Sequence, residues 1–139
     1  MSRRKAREYA FKVLFQVDQV MARPGAALDY LRQESELAEK DVKFSQELIG
    51  TAIENLDDID SIIASYASDW SIERMPAVDR SIMRLAAAEM LFQDSVDSVV
   101  IIDEAVEIAK KYAGESSPAY INAILDRLAG EIKNKSKQS

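Results

Sequence analysis

The chain has 139 residues, 47% hydrophobic and 30% charged, a size and balance at which one domain buries a sufficient core without staples. It contains no Cys and no His, which excludes thiol nucleophiles, disulfides, zinc held by thiolate or imidazole, haem held by His or Cys, and every His-based acid–base or triad mechanism. The formal charge of −6 speaks, as an average, against a nucleic-acid partner, but residues 1–12 carry five basic side chains (Arg3, Arg4, Lys5, Arg7, Lys12) against Glu8 alone, a local +4.

Three more lysines in 133–137 leave 10 basic against 23 acidic residues, or −13, for the stretch between. A basic arm on an acidic body implies a polyanion site at one end and repulsion elsewhere. The charged N-terminus runs into an amphipathic segment, not an apolar one, which argues against a secretory leader. The apolar stretch around 82–92 is broken by Arg84 and Glu89 and falls short of a membrane span. The expectation is a soluble cytoplasmic protein.

The few Gly and Pro fall mostly where hydrophobic periodicity breaks, as in an all-helical domain. A first helix is predicted from about Arg3 to Met21, with Ala6, Ala10, Val13, Leu14, Val17 and Met21 on one stripe. Arg23-Pro24-Gly25 ends it, and a short helix over roughly 26–35 follows. The next, near 40–56, has the stripe Val42, Ile49, Ala52, Ile53 and Leu56. Asp57 is placed to cap another, with Ile59, Ile62, Ile63, Tyr66 and Trp70 on its face.

Residues 71–76 are a break, and Pro76 restarts the chain into a helix near 77–93 that is apolar over most of its circumference and belongs at the centre. A helix over 99–113 sets Ile101, Ala105, Ile108 and Tyr112 against Asp103, Glu107, Lys110 and Lys111. The last begins at Ser117-Pro118 and packs through Ile121, Ile124, Leu125, Leu128 and Ile132. The reading is an all-α domain of about seven helices, 1–139, in two small bundles, about 3–56 and 57–133, with a short basic tail over 133–139.

On a helical wheel Arg4, Arg7, Phe11 and Phe15 share one side beside the core stripe, offering guanidinium groups to phosphates and rings to unstacked bases. The same aromatics could equally be core. Basic charge at a helix N-terminus opposes the macrodipole and asks for another purpose. On the last helix, Tyr120 lies beside the apolar stripe with Arg127 two turns on, a second stacking pair. The acids Asp57, Asp58 and Asp60 fail the calcium-loop pattern and suit helix capping better. Glu89 lies on an apolar face with no second group to complete a catalytic site, so it is expected to accept hydrogen bonds from backbone or an Arg. No glycine-rich phosphate loop occurs.

The stretches RRKAREYAFKVLFQ (3–16), VDRSIMRLAAAEML (78–91), IDEAVEIAKKYAGESS (102–117) and YINAILDRL (120–128), in this order over almost the whole chain, resemble the NusB family of bacterial transcription antitermination factors. The resemblance implies an all-α fold of two small bundles, no catalysis, no cofactor and no metal. It also implies binding of the boxA element of nascent ribosomal RNA together with ribosomal protein NusE, in a complex with NusA, NusG and RNA polymerase. Carried over by position, RNA contacts fall to Arg3, Arg4, Lys5, Arg7, Phe15 and Tyr120. Asp79 falls near the surface shared with RNA and partner.

Two positions depart from the family pattern. Ser116 replaces an acidic or amide side chain near RNA, and Ala123 stands where Gly is usual. Two other readings stay open: a helical adaptor whose arm binds acidic protein, and the front domain of an RNA cytosine methyltransferase, which lacks here both room and a Cys nucleophile. Monomer and homodimer are both compatible with the sequence.

Overall fold

A computed structural model describes residues 2–20, 25, 26, 29, 38–67, 71–93 and 96–138. Among these, six α-helices occur in the order α1 Ser2–Val20, α2 Glu39–Glu54, α3 Leu56–Tyr66, α4 Ala77–Phe92, α5 Ser98–Tyr112 and α6 Ser117–Gln138, with a 3-10 turn at Ile72–Arg74. Residues 25, 26 and 29 are helical, but the rest of the expected 26–35 helix lies outside the described residues, as do Met21 and Trp70. The expected tail is not separate, because α6 continues through it to Gln138. No helix among the described residues is long and apolar enough to cross a membrane.

The all-α expectation holds, and so does the central place of α4. Residues 81–90 are buried without interruption, and α4 packs against each of the other five helices. Small side chains make this possible: Ala86, Ala87 and Ala88 let neighbours approach closely around the circumference. α1 and α2 pair on one side of α4, while α5 and α6 pair on another with α3 beside them. One contiguous core results, with buried residues from every helix.

The helix ends are built differently from expectation at one place. Asp57 does not cap α3; Asn55 occupies the cap position and its Nδ2 instead donates back to the Thr51 carbonyl at 2.9 Å. Asp57 and Asp58 lie in the first turn, where their charge complements the helix dipole. At α5 the cap is regular, with Asp97 accepting from the Val99 amide at 3.1 Å, and Lys110 and Lys111 stand in the last turn.

Candidate nucleic-acid interface

α1 carries the basic arm, and its cations are held to very different degrees. Ala6, Arg7, Ala10, Phe11, Val13 and Leu14 are all buried, so the packed arc is wider than the apolar stripe and takes in Arg7 and Phe11. Arg7 is 6% exposed and donates from Nε and Nη2 to the two oxygens of Glu89 at 2.9 and 2.7 Å. Burial works against its charge, but Glu89 outweighs it and holds the guanidinium pKa above its usual value. The expected buried-Glu partner is thus Arg7, and a guanidinium enclosed in this way is not presented to a phosphate.

Arg3, Arg4 and Lys5 are exposed. Arg4 donates from Nε and Nη2 to Glu104 of α5, at 3.0 Å for the closest contacts. Arg3 stacks its guanidinium 4.0 Å from the Phe44 ring centroid and sets Nε 3.7 Å from Asp41 Oδ1. Lys5 lies within ion-pair distance of no carboxylate among the described residues.

One turn on, a second group of cations and rings lies along the α1–α5 seam. Lys12 Nζ sits 5.2 Å from the Tyr9 ring and 5.5 Å from Tyr112, and Lys111 Nζ sits 5.4 Å from Tyr112. Glu8 organises this group by accepting from Lys111 Nζ at 2.7 Å and from the Tyr112 hydroxyl. Burial raises the Glu8 pKa, but those two hydrogen bonds and the charges of Lys111 and Lys12 more than reverse it, so the carboxylate titrates below its ordinary range. Phe15 is half-buried and continues the aromatic run through Phe11, whose ring lies 6.2 Å from Phe15 and 5.4 Å from Tyr112.

Sequence reading left Tyr9, Lys111 and Tyr112 out of the site. The available signal was a Lys-Lys-Tyr run in a last helical turn facing a helix whose first half is basic.

Tyr120 is partly buried at the start of α6, and Ser116 is exposed in the turn before it. Arg127, expected beside Tyr120, lies over the Tyr66 ring at 5.5 Å and donates to the Tyr66 carbonyl at 3.2 Å. Asp79, expected near a surface, is 3% exposed and accepts a hydrogen bond from the Ser117 hydroxyl at 3.0 Å. It ties the start of α4 to the start of α6, and so fixes the turn that carries Ser116 and the first helical turn that carries Tyr120.

The described residues thus define an all-helical protein that sets lysines and arginines beside aromatic rings along α1 and its seam with α5. The family model described as the NusB family matches residues 4–130, and the chain belongs to that family. It is 55% identical over 131 residues to the transcription antitermination protein NusB of Syntrophomonas wolfei, covering 94% of this chain and 98% of that one. With the protein of the same name from Pelotomaculum thermopropionicum it is 44% identical over 128 residues, 92% and 89% of the two chains.

Among solved structures, T. maritima NusB superposes with a TM-score of 0.86 at 38% identity, over 93% of this chain and 91% of that one. A structure of antitermination factors NusB and NusE in complex with dsRNA gives 0.85 at 28% identity, over 94% and 97%.

Proposed function

We propose that this protein is an RNA-binding transcription antitermination factor that binds boxA of nascent ribosomal RNA together with NusE. The observation that carries the reading is the surface of α1 and α5, where Lys12 and Lys111 stand exposed beside Tyr9 and Tyr112, with Lys5 exposed on the same helix and Phe15 continuing the aromatic run through Phe11. Lysines supply phosphate attraction and rings supply faces for unstacked bases. Family membership and the solved NusB–NusE assembly with RNA support the same partners.

Within the arm, Arg3, Arg4 and Lys5 are the phosphate contacts, Phe15 and Tyr120 the stacking residues and Ser116 a neighbour of the RNA path. Arg7 and Asp79 act from inside, Arg7 by fixing α1 on α4 and Asp79 by fixing the turn before α6. The chain works without catalysis, cofactor or metal. It joins NusA, NusG and RNA polymerase through the RNA and NusE, in the cytoplasm, and two bundles, about 3–56 and 57–133, share α4 as their common wall.

The acidic body limits long-range attraction, so affinity alone is modest and rises when the basic partner completes the surface. Fluorescence anisotropy with boxA RNA, with and without NusE, tests this. Three phosphate contacts give a loss of roughly 20-fold for a fourfold rise in salt, from a slope of about −0.7 per phosphate. A flat salt dependence, or equal affinity with and without NusE, overturns the composite-site reading. A helical adaptor for acidic protein would instead lose its partner, not gain affinity, when RNA is added.

A further inference from the structure

The exposed arginines of the arm are already occupied by carboxylates of the protein itself. Arg4 offers its Nε–Nη2 edge, and Glu104 from α5 fills that edge with both oxygens. The Glu104 side chain is 13% exposed, so the surroundings fix its position, whereas Arg4 is 59% exposed and open to solvent on its other side. A carboxylate and a phosphate present the same pair of oxygens to a guanidinium fork.

We propose that Glu104 is an internal stand-in for RNA phosphate and sets the affinity of the arm. RNA reaches the fork of Arg4 by displacing this carboxylate, or meets Arg4 from the far side against its charge. The inference rests on the RNA-binding reading above and adds a residue to it.

Asp41 makes the opposite flank different in kind. Its carboxylate is 1% exposed, neither oxygen has a hydrogen-bond partner, and Arg3 is the cation 3.7 Å away. Drawing Arg3 off to a phosphate would leave a buried charge uncompensated, which is costly. Glu104 lies nearer the surface and can rehydrate. Arg4 is therefore the cation that exchanges, and Arg3 the one that stays tethered while its exposed face attracts phosphate.

The test is RNA affinity of Glu104→Gln, which keeps the shape and removes the charge, alongside Asp103→Asn, which makes the same charge change on the exposed face of the same helix. Glu104→Gln should bind boxA RNA roughly two- to fivefold more tightly at low salt, the scale of one exposed ion pair, with the gain shrinking as salt rises. Asp103→Asn should gain less, and Glu104→Gln should give no gain in an Arg4→Ala background.

An equal gain from Asp103→Asn, or a gain that survives Arg4→Ala, would assign the effect to overall charge and overturn the proposal. Unchanged or weaker binding by Glu104→Gln would overturn it too, making Glu104 an orienting partner of Arg4. If the unsubstituted protein shows no RNA binding at low salt, with or without NusE, the RNA-binding reading itself falls.

Discussion

Two groups of arginines, on α1 and on α4, look alike in sequence and differ in what surrounds them. On α4, Arg84 donates to both oxygens of Asp60 at 2.7 Å and to Asp18 at 3.0 Å, and Arg80 donates to Asp18 at 2.6 Å and to the carbonyls of Ile72 and Met75. They line a cavity of about 330 Å³ with Asp18, Asp60 and Glu73, so their charge is matched by neighbours. On α1 the matching is graded along a single turn, from Arg7 enclosed by Glu89, through Arg4 and Arg3 with one carboxylate each, to Lys5 with none among the described residues. The charge available to a partner is therefore set by the carboxylates within reach and not by the number of cations.

The largest effect is expected where matching is complete and buried. Arg7→Ala leaves Glu89, 2% exposed, without its counter-charge, and should cost about 3–5 kcal/mol in urea unfolding. A cost below about 1 kcal/mol would place Arg7 with the surface arm after all.

A smaller loss should appear in acid. Burial pushes the Asp18 carboxyl up, but hydrogen bonds from Arg80, Gln19 and Arg84 bring it below its usual range. Glu8 is lowered in the same way. Such groups bind fewer protons folded than unfolded, so their stabilisation is present above the unfolded values near 4 and is lost as pH falls through the lowered ones. Unfolding followed from pH 6 to pH 2 should show this decline, and Asp18→Asn should flatten it. A decline unchanged by that substitution would show that the α4 arginines do not depend on Asp18.

The smallest effect on stability is expected at the unmatched end. Lys5→Ala should shift unfolding by less than about 0.5 kcal/mol, yet lower the magnitude of the RNA salt slope by about 0.7. An unchanged slope would remove Lys5 from the interface.

Much of this was legible in the sequence. The periodicity of α4, apolar on nearly every side, placed it at the centre, and the sequence located both ends of α5 and, through Ser117-Pro118, the start of α6 to within a residue, but not the end of α6, which runs on to Gln138. The odd position of Glu89 announced a buried acid. What could not be read was its partner, because a helical wheel ranks Arg7 by polarity and puts it outside the stripe, while the structure buries it beside Phe11 on the same turn-to-turn row. The burial of Asp79 was not legible for a related reason: an acid in a first helical turn usually faces water, and the approach of Ser117 from the next helix pair gives it a reason to be inside. The α1–α5 cluster was missed since Glu8 lies about a hundred residues from Lys111 and Tyr112 in the chain. The Lys110-Lys111-Tyr112 run was the one local sign, and it does not name its partner across the fold.

The division of the arm into an inner and an outer part is tested most directly by the RNA affinity of the double variant Arg7→Met/Glu89→Leu. Replacing a buried pair together with apolar side chains avoids the stranded charge that either single change would leave. The double variant should fold and bind boxA RNA within about twofold of the unsubstituted protein, since the phosphate contacts assigned to Arg3, Arg4 and Lys5 are untouched. A loss of about tenfold or more in a folded double variant, with a shallower salt slope, would show that Arg7 meets RNA itself and would contradict the account.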